Sequence, residues 1–317
     1  MTNKQINKWL RRQFAQVGWV LVAYYGIMNV LAMVGMLWET ARQFFWSVAA
    51  GKLSGLDQNA ILGNGWGYIV TILTGLVILH AWKGRDYWKE EIFQKQRAME
   101  PNVLACFLVL CMGAQMMNSL WVSGLEMVLS KFGKSVMKML ESVSGSSDTF
   151  SMFLYAAVLA PVGEEILFRG YVLRSLRPYG KRFAVLGSAV LFGLFHGNLL
   201  QTPYAILVGL ILGYVTVEYS IFWAVLIHMF NNLVLADLLT RLTAGWPDVA
   251  YGALNMFLFG GAFLASLVLL IQNRRGIRDY RQSEWMDRRV LKCFFFNSGV
   301  LVMSLIALGN MIALLFM

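Results

Sequence analysis

Apolar residues in this chain fall in long unbroken runs separated by short polar stretches. Runs near the roughly 17–25 residues that cross a bilayer occupy 14–38, 61–82, 103–125, 150–173, 183–200, 203–219, 221–240, 250–272 and 293–316. The fifth to seventh are short and are joined by little more than "QTP" and "YS". The alternating ten-residue segments of a membrane β-barrel do not occur, so the pattern predicts an all-α polytopic integral membrane protein with about 8–9 transmembrane helices.

The polar stretches carry direction. Arg and Lys cluster at the N-terminus and in 83–97, 169–182 and 274–292. The positive-inside rule assigns these stretches, and with them the N-terminus, to the cytoplasm. Lys131, Lys134 and Lys138 then fall on the other side, in "LEMVLSKFGKSVMKMLESV". Leu125, Val128, Leu129, Phe132, Val136, Met139, Leu140 and Val143 form a helical stripe there. The stretch 125–143 is either an amphipathic helix on the membrane surface or an extension of the third span. "VSGSSD" (143–148) reads as a flexible linker. It suggests three parts: N-terminal transmembrane helices in 1–149, a motif-dense core in 150–240, and C-terminal transmembrane helices in 241–317.

Composition supports this picture and removes one alternative. The chain is 58% hydrophobic and only 14% charged, and its net charge of +10 sits in the inter-span clusters, so it implies membrane topology and no nucleic acid. Cys106, Cys111 and Cys293 show no CxxC spacing and read as packing residues. The first apolar run lacks a small-residue cleavage site, which favours an uncleaved span over a signal peptide. Short loops and a compact chain point to a bacterial plasma membrane.

One stretch violates the apolar rule. "LAPVGEEILFRGYVLRSL" (159–176) places Glu164, Glu165 and Arg169 within a span. An ionisable group at a helix centre costs about 2.5–3.5 kcal/mol on insertion scales, so it faces protein or a water-filled cavity. Glu165 and Arg169 are four apart in the favoured order and can neutralise each other, which leaves Glu164 on another face. Pro161 and Gly163 remove a backbone donor and a side chain, so they predict a kinked, opened helix beside a polar cavity. His196 in "LFGLFHGN" and His228 in "LIHMFNN", with Asn232 one turn later, supply further polar walls. Asn118, Asn198 and Asn231 either line the cavity or bond between helices, while Glu126, Glu218 and Asp237 lie near span ends and snorkel.

These residues carry a resemblance. "EEILFR" (Glu164, Glu165, Arg169), "FGLFH" (Phe192, His196) and "HMFNN" (His228, Asn232) follow E-E-x-x-x-R, F-x-x-x-H and H-x-x-x-N in order. Together they resemble the CPBP family of intramembrane proteases, related to the CAAX-prenyl endopeptidase Rce1 and once called Abi proteins. The resemblance implies an endopeptidase acting on a membrane-associated or lipidated polypeptide. It assigns water activation to Glu164, water positioning to His196 and oxyanion hydrogen bonds to His228 and Asn232. Glu165 and Arg169 would orient the site and Phe192 would pack beside His196. It implies no cofactor. Two rival readings use the same residues: a zinc hydrolase with Glu164, His196 and His228 as ligands, and a non-proteolytic transporter or immunity scaffold.

Overall fold

The computed structural model describes residues 2–51, 55–136, 149–283 and 287–316, without the side chains of Glu91 and Ser283. Every regular element among them is helical. α1 (Asn3–Ala49) begins with a reciprocal cap in which Gln5 N–H donates to Thr2 Oγ1 and Thr2 N–H donates to Gln5 Oε1. No proline interrupts it. Its 47 residues run for about 70 Å, more than twice the hydrocarbon thickness of a bilayer, so the apolar run 14–38 is only the middle of a longer helix. After a short helix at Gln58–Leu62 come α2 (Trp66–Asp86), α3 (Pro101–Leu129), α4 (Phe150–Tyr179), α5 (Lys181–His196), α6 (Thr202–Glu218), α7 (Ile221–Leu242), α8 (Asp248–Gln272), α9 (Arg274–Ser283), α10 (Arg288–Phe295) and α11 (Ser298–Leu315).

Seven helices among the described residues are long and apolar enough to cross a membrane. The difference from nine lies in the fifth and sixth runs. α5 has 16 residues and α6 has 17. The fifth run was expected to reach residue 200, but Gly197 takes the left-handed conformation (φ 61°) and ends the helix at His196. The two short helices form a tight pair. Thr202 Oγ1 donates to the Gly193 carbonyl at 3.0 Å, and a Cβ on Gly209 would lie 3.1 Å from Ala189 Cα.

The core follows from these approaches. Phe14 and Leu21 of α1, Phe168 and Leu173 of α4, Phe183 of α5 and Phe294 of α10 form one buried cluster. A second cluster joins Cys111 of α3 to Leu212 of α6 and Ile227 of α7. α4 to α7 therefore occupy the middle, with α1, α2, α3, α8 and α11 around them. The four basic stretches meet at one end of the bundle: Trp9 packs on Tyr179, Lys83 and Arg174 line one pocket, and Arg182 donates to the Arg281 carbonyl.

α3 continues to Leu129, and a tight turn (Ser130–Phe132) then closes at Gly133 (φ 69°), so the first five residues of the 125–143 stretch extend the third span. Residues 137–143 and the linker 143–148 lie outside the described residues apart from this start. Glu126 turns back, its Oε2 accepting from Val136 N–H at 2.7 Å. Glu218 pairs with Lys181 and Asp237 with Arg241.

Close backbone contact between α1 and α11 rests on Gly18 and Gly299, where an added Cβ at either position would intrude on the other helix's backbone. Gly18→Leu is expected to destabilise the bundle by about 1–3 kcal/mol through overpacking. Thermal unfolding in detergent should show a lower midpoint than for Gly26→Leu, because a Cβ at Gly26 meets nothing within 4 Å.

Candidate functional site

The site grows out of an interruption in α4. Two wide π-helical stretches, Tyr155–Leu159 and Ile166–Leu173, flank the ordinary turn Ala160–Glu165. In a π turn each N–H bonds the carbonyl five residues back. Pro161 has no N–H to give, which releases the Ala156 carbonyl. Asn232 Nδ2 of α7 donates to that carbonyl at 3.1 Å. The opened helix expected from Pro161 and Gly163 is thus present, and its freed acceptor ties α4 to α7.

Glu165 lies at the centre with no exposed surface. Its Oε1 accepts from Arg169 Nη1 at 3.0 Å and from His228 Nδ1 at 2.9 Å. Arg169, also without exposed surface, donates from Nη2 to the Gly209 carbonyl at 3.1 Å and lays its guanidinium 4.5 Å over the Phe192 ring. Glu165 Oε2 and Arg169 Nε have no hydrogen-bond partner among the described residues. With Glu165 Oε1 accepting from Arg169, the 2.9 Å contact to the imidazole is made by a proton on His228 Nδ1.

The other face of the same imidazole points at Glu164. His228 Nε2 is 3.8 Å from Glu164 Oε2, too far for a direct hydrogen bond. The Glu164 side chain is 22% accessible and its carboxylate makes no hydrogen bond among the described residues. Two adjacent glutamates therefore differ completely: one is locked in a buried pair and the other is open and unspent.

Phe192 brings the rest together. The rings of His196 and His228 both meet it edge-on, at 4.9 and 5.7 Å between centroids. His196 Nδ1 donates to the Phe192 carbonyl at 2.9 Å, which leaves Nε2 available. Six of the seven motif residues thus fall in one connected cluster, Glu164, Glu165, Arg169, Phe192, His196 and His228, and Asn232 joins α4 separately through Ala156.

The tyrosines around the site were not singled out. Tyr204 O–H donates to Asn231 Oδ1, Asn231 Nδ2 donates to Asn232 Oδ1 at 3.0 Å, and Asn232 in turn reaches Ala156. Asn231 was expected either to line the cavity or to bond between helices, and it bonds between helices. Asn198 bonds Gln201 and caps the turn after α5. Tyr24 and Tyr155 lie within the electrostatic reach of Glu164. No spacing signal marks these tyrosines, because an aromatic residue in an apolar run reads as core. Among the described residues, no three His, Cys, Asp or Glu side chains gather so that they could hold a metal ion.

The arrangement offers an accessible carboxylate, an imidazole held between two carboxylates, and an Asn232 amide fixed to the opened stretch of α4 at Ala156. Residues 146–234 match the family model described as type II CAAX prenyl endopeptidase Rce1-like. The match spans the described parts of α4, α5 and α6 and the first half of α7, which carry every residue of the cluster. No curated protein and no solved structure matches the chain.

Removing one member of a buried ion pair strands the other. Arg169→Met is expected to cost about 3–5 kcal/mol by leaving the Glu165 carboxylate uncompensated. The double variant Glu165→Gln with Arg169→Met should recover much of that loss, which thermal unfolding of the purified proteins will measure.

Proposed function

We propose, on the premise that the segment 146–234 belongs to the Rce1-like family of CAAX-type intramembrane proteases, that Glu164 activates water to hydrolyse a peptide bond in a membrane-associated polypeptide. The observation that carries this reading is the contrast between the two glutamates. Glu165 is committed to Arg169 and His228, while Glu164 is accessible beside His228 Nε2.

Glu164 takes a proton from a water positioned by His196, and the resulting hydroxide adds to the scissile carbonyl carbon. The oxyanion that forms accepts hydrogen bonds from His228 Nε2–H and from the second Nδ2–H of Asn232. With Nδ1–H already donated to Glu165, His228 can donate from Nε2 only as imidazolium. Collapse of the intermediate breaks the C–N bond, and Glu164 returns its proton to the leaving amine. The basic end of the bundle faces the cytoplasm, and the membrane is a bacterial plasma membrane.

The zinc reading draws on one feature: His196 and His228 each engage an acceptor through Nδ1 and keep Nε2 free, as metal-bound histidines do. The same assay separates the two readings.

Glu164→Gln should abolish cleavage, with the unfolding midpoint unchanged, when newly formed peptide termini are compared by mass spectrometry in membranes carrying either chain. Cleavage retained by this variant would overturn the base assignment. Wild-type cleavage should persist with a strong zinc chelator present. Loss of activity restored by zinc would select the metal-dependent reading.

A further inference from the structure

A groove and a charged pocket outside the glutamate cluster meet in a way that neither the family match nor the proposed chemistry uses. The groove, about 200 Å³, lies between α1, α2 and α4 and is lined almost entirely by apolar side chains such as Val20, Leu76, Leu79 and Leu167. Space for it depends on Gly75, where a Cβ would lie 2.5 Å from the Tyr24 ring. Its outer rim is exposed at Ile27, Ile78 and Trp82, on the surface a helical membrane protein turns toward lipid. At one end it is closed by Trp82 and Tyr171, whose rings are 5.4 Å apart.

Beyond these two rings the character reverses. Lys83, Arg174 and Arg177 line a pocket of about 460 Å³ together with Tyr87, Ser175 and Pro178, and no acidic side chain lines it. Lys83 Nζ sits 4.4 Å from the Trp82 ring, 5.4 Å from Tyr87 and 5.6 Å from Tyr171, so the rings that close the groove also hold the ammonium. Gly84, at φ 76°, breaks α2 directly after Lys83. A side chain would strain this conformation. The break brings Tyr87 back against α4, where its O–H donates to the Gly170 carbonyl at 2.7 Å.

The occupant must satisfy both halves. It needs an aliphatic chain entering sideways from the bilayer and an anionic head at the interface level, where Lys, Arg, Trp and Tyr concentrate. An acidic peptide would leave the groove unfilled, and a neutral lipid would bring no net negative charge to Lys83 and Arg177. We propose that this groove and pocket form one binding site for an anionic phospholipid, with its phosphate on Lys83, Arg174 and Arg177 and an acyl chain along α2 and α4. The acyl chain lies against Gly163 and Ile166, which are on the same turns of α4 as Glu164. Basic pockets between transmembrane helices at a cytoplasmic face suit such headgroups.

The test measures lipid retention, so it stands apart from proteolysis. The full chain is placed in nanodiscs of mixed phosphatidylglycerol and phosphatidylcholine, released in mild detergent, and the bound lipid is counted by native mass spectrometry. Wild type is expected to retain phosphatidylglycerol in preference to phosphatidylcholine. Lys83→Ala with Arg177→Ala should lower that retention by about tenfold or more. Ala23→Phe, which fills the groove from its exposed side, should lower it with the cations intact. Arg275→Ala with Arg278→Ala, on exposed α9, should leave it unchanged. Equal retention of the two lipids, or equal loss in the α9 control, overturns the proposal. Unfolding midpoints at the wild-type value establish that each variant is folded.

Discussion

The buried contact between Glu165, Arg169 and His228 is the constraint around which the centre of the molecule is arranged. A carboxylate and a guanidinium with no exposed surface cannot remain in an apolar bundle unless each is compensated. Compensation here recruits a different helix for each need. His228 comes from α7, the Gly209 carbonyl from α6, and the Phe192 face from α5. Four helices are therefore held in register by one charge pair on α4. The short α5 and α6 find their place through this pair and through their own close contact, where glycine lets backbones approach. The pair is not complete, since Glu165 Oε2 and Arg169 Nε lack partners among the described residues. Apolar side chains of similar volume would pack there at lower cost. Its retention makes sense as the means of holding the His228 ring in one orientation.

Much of this was legible in the sequence because charge is conspicuous against an apolar background. Glu164, Glu165, Arg169, His196 and His228 stand out for that reason, and the four-residue spacing of Glu165 and Arg169 correctly anticipates their ion pair. The basic loops likewise anticipate the common end at which they meet. Helix ends were less legible. Gly197 ends α5 because it takes a left-handed conformation, yet in sequence it is one more small residue in an apolar run. α1 exceeds its apolar run because nothing in the polar flanks breaks a helix, and hydropathy does not register that. Tyr24, Tyr155 and Tyr204 were invisible for the opposite reason to the glutamates. Their hydroxyls matter only through neighbours distant in sequence.

The two adjacent glutamates show how far environment, rather than residue type, decides a role. They share one helix and one imidazole, and a single step along the chain turns them about 100° apart. That step carries Glu165 toward the guanidinium and leaves Glu164 facing accessible space. Had the helix continued in regular α form, the Ala156 carbonyl would have been consumed within α4. The π turn instead gives the Ala160 N–H to the Tyr155 carbonyl and Pro161 has no N–H to replace it, so the Ala156 carbonyl becomes the point at which Asn232 is fixed. Asn232 is held at its other end by Asn231, and Asn231 by Tyr204. The helix defect thus locates the amide donor, and the ion pair locates the imidazole donor. Both bear from α7 on α4, Asn232 at Ala156 and His228 at Glu165. Two independent restraints from α7 thus hold α4 before its ordinary turn Ala160–Glu165 and at the end of it, and so fix the backbone that carries Glu164.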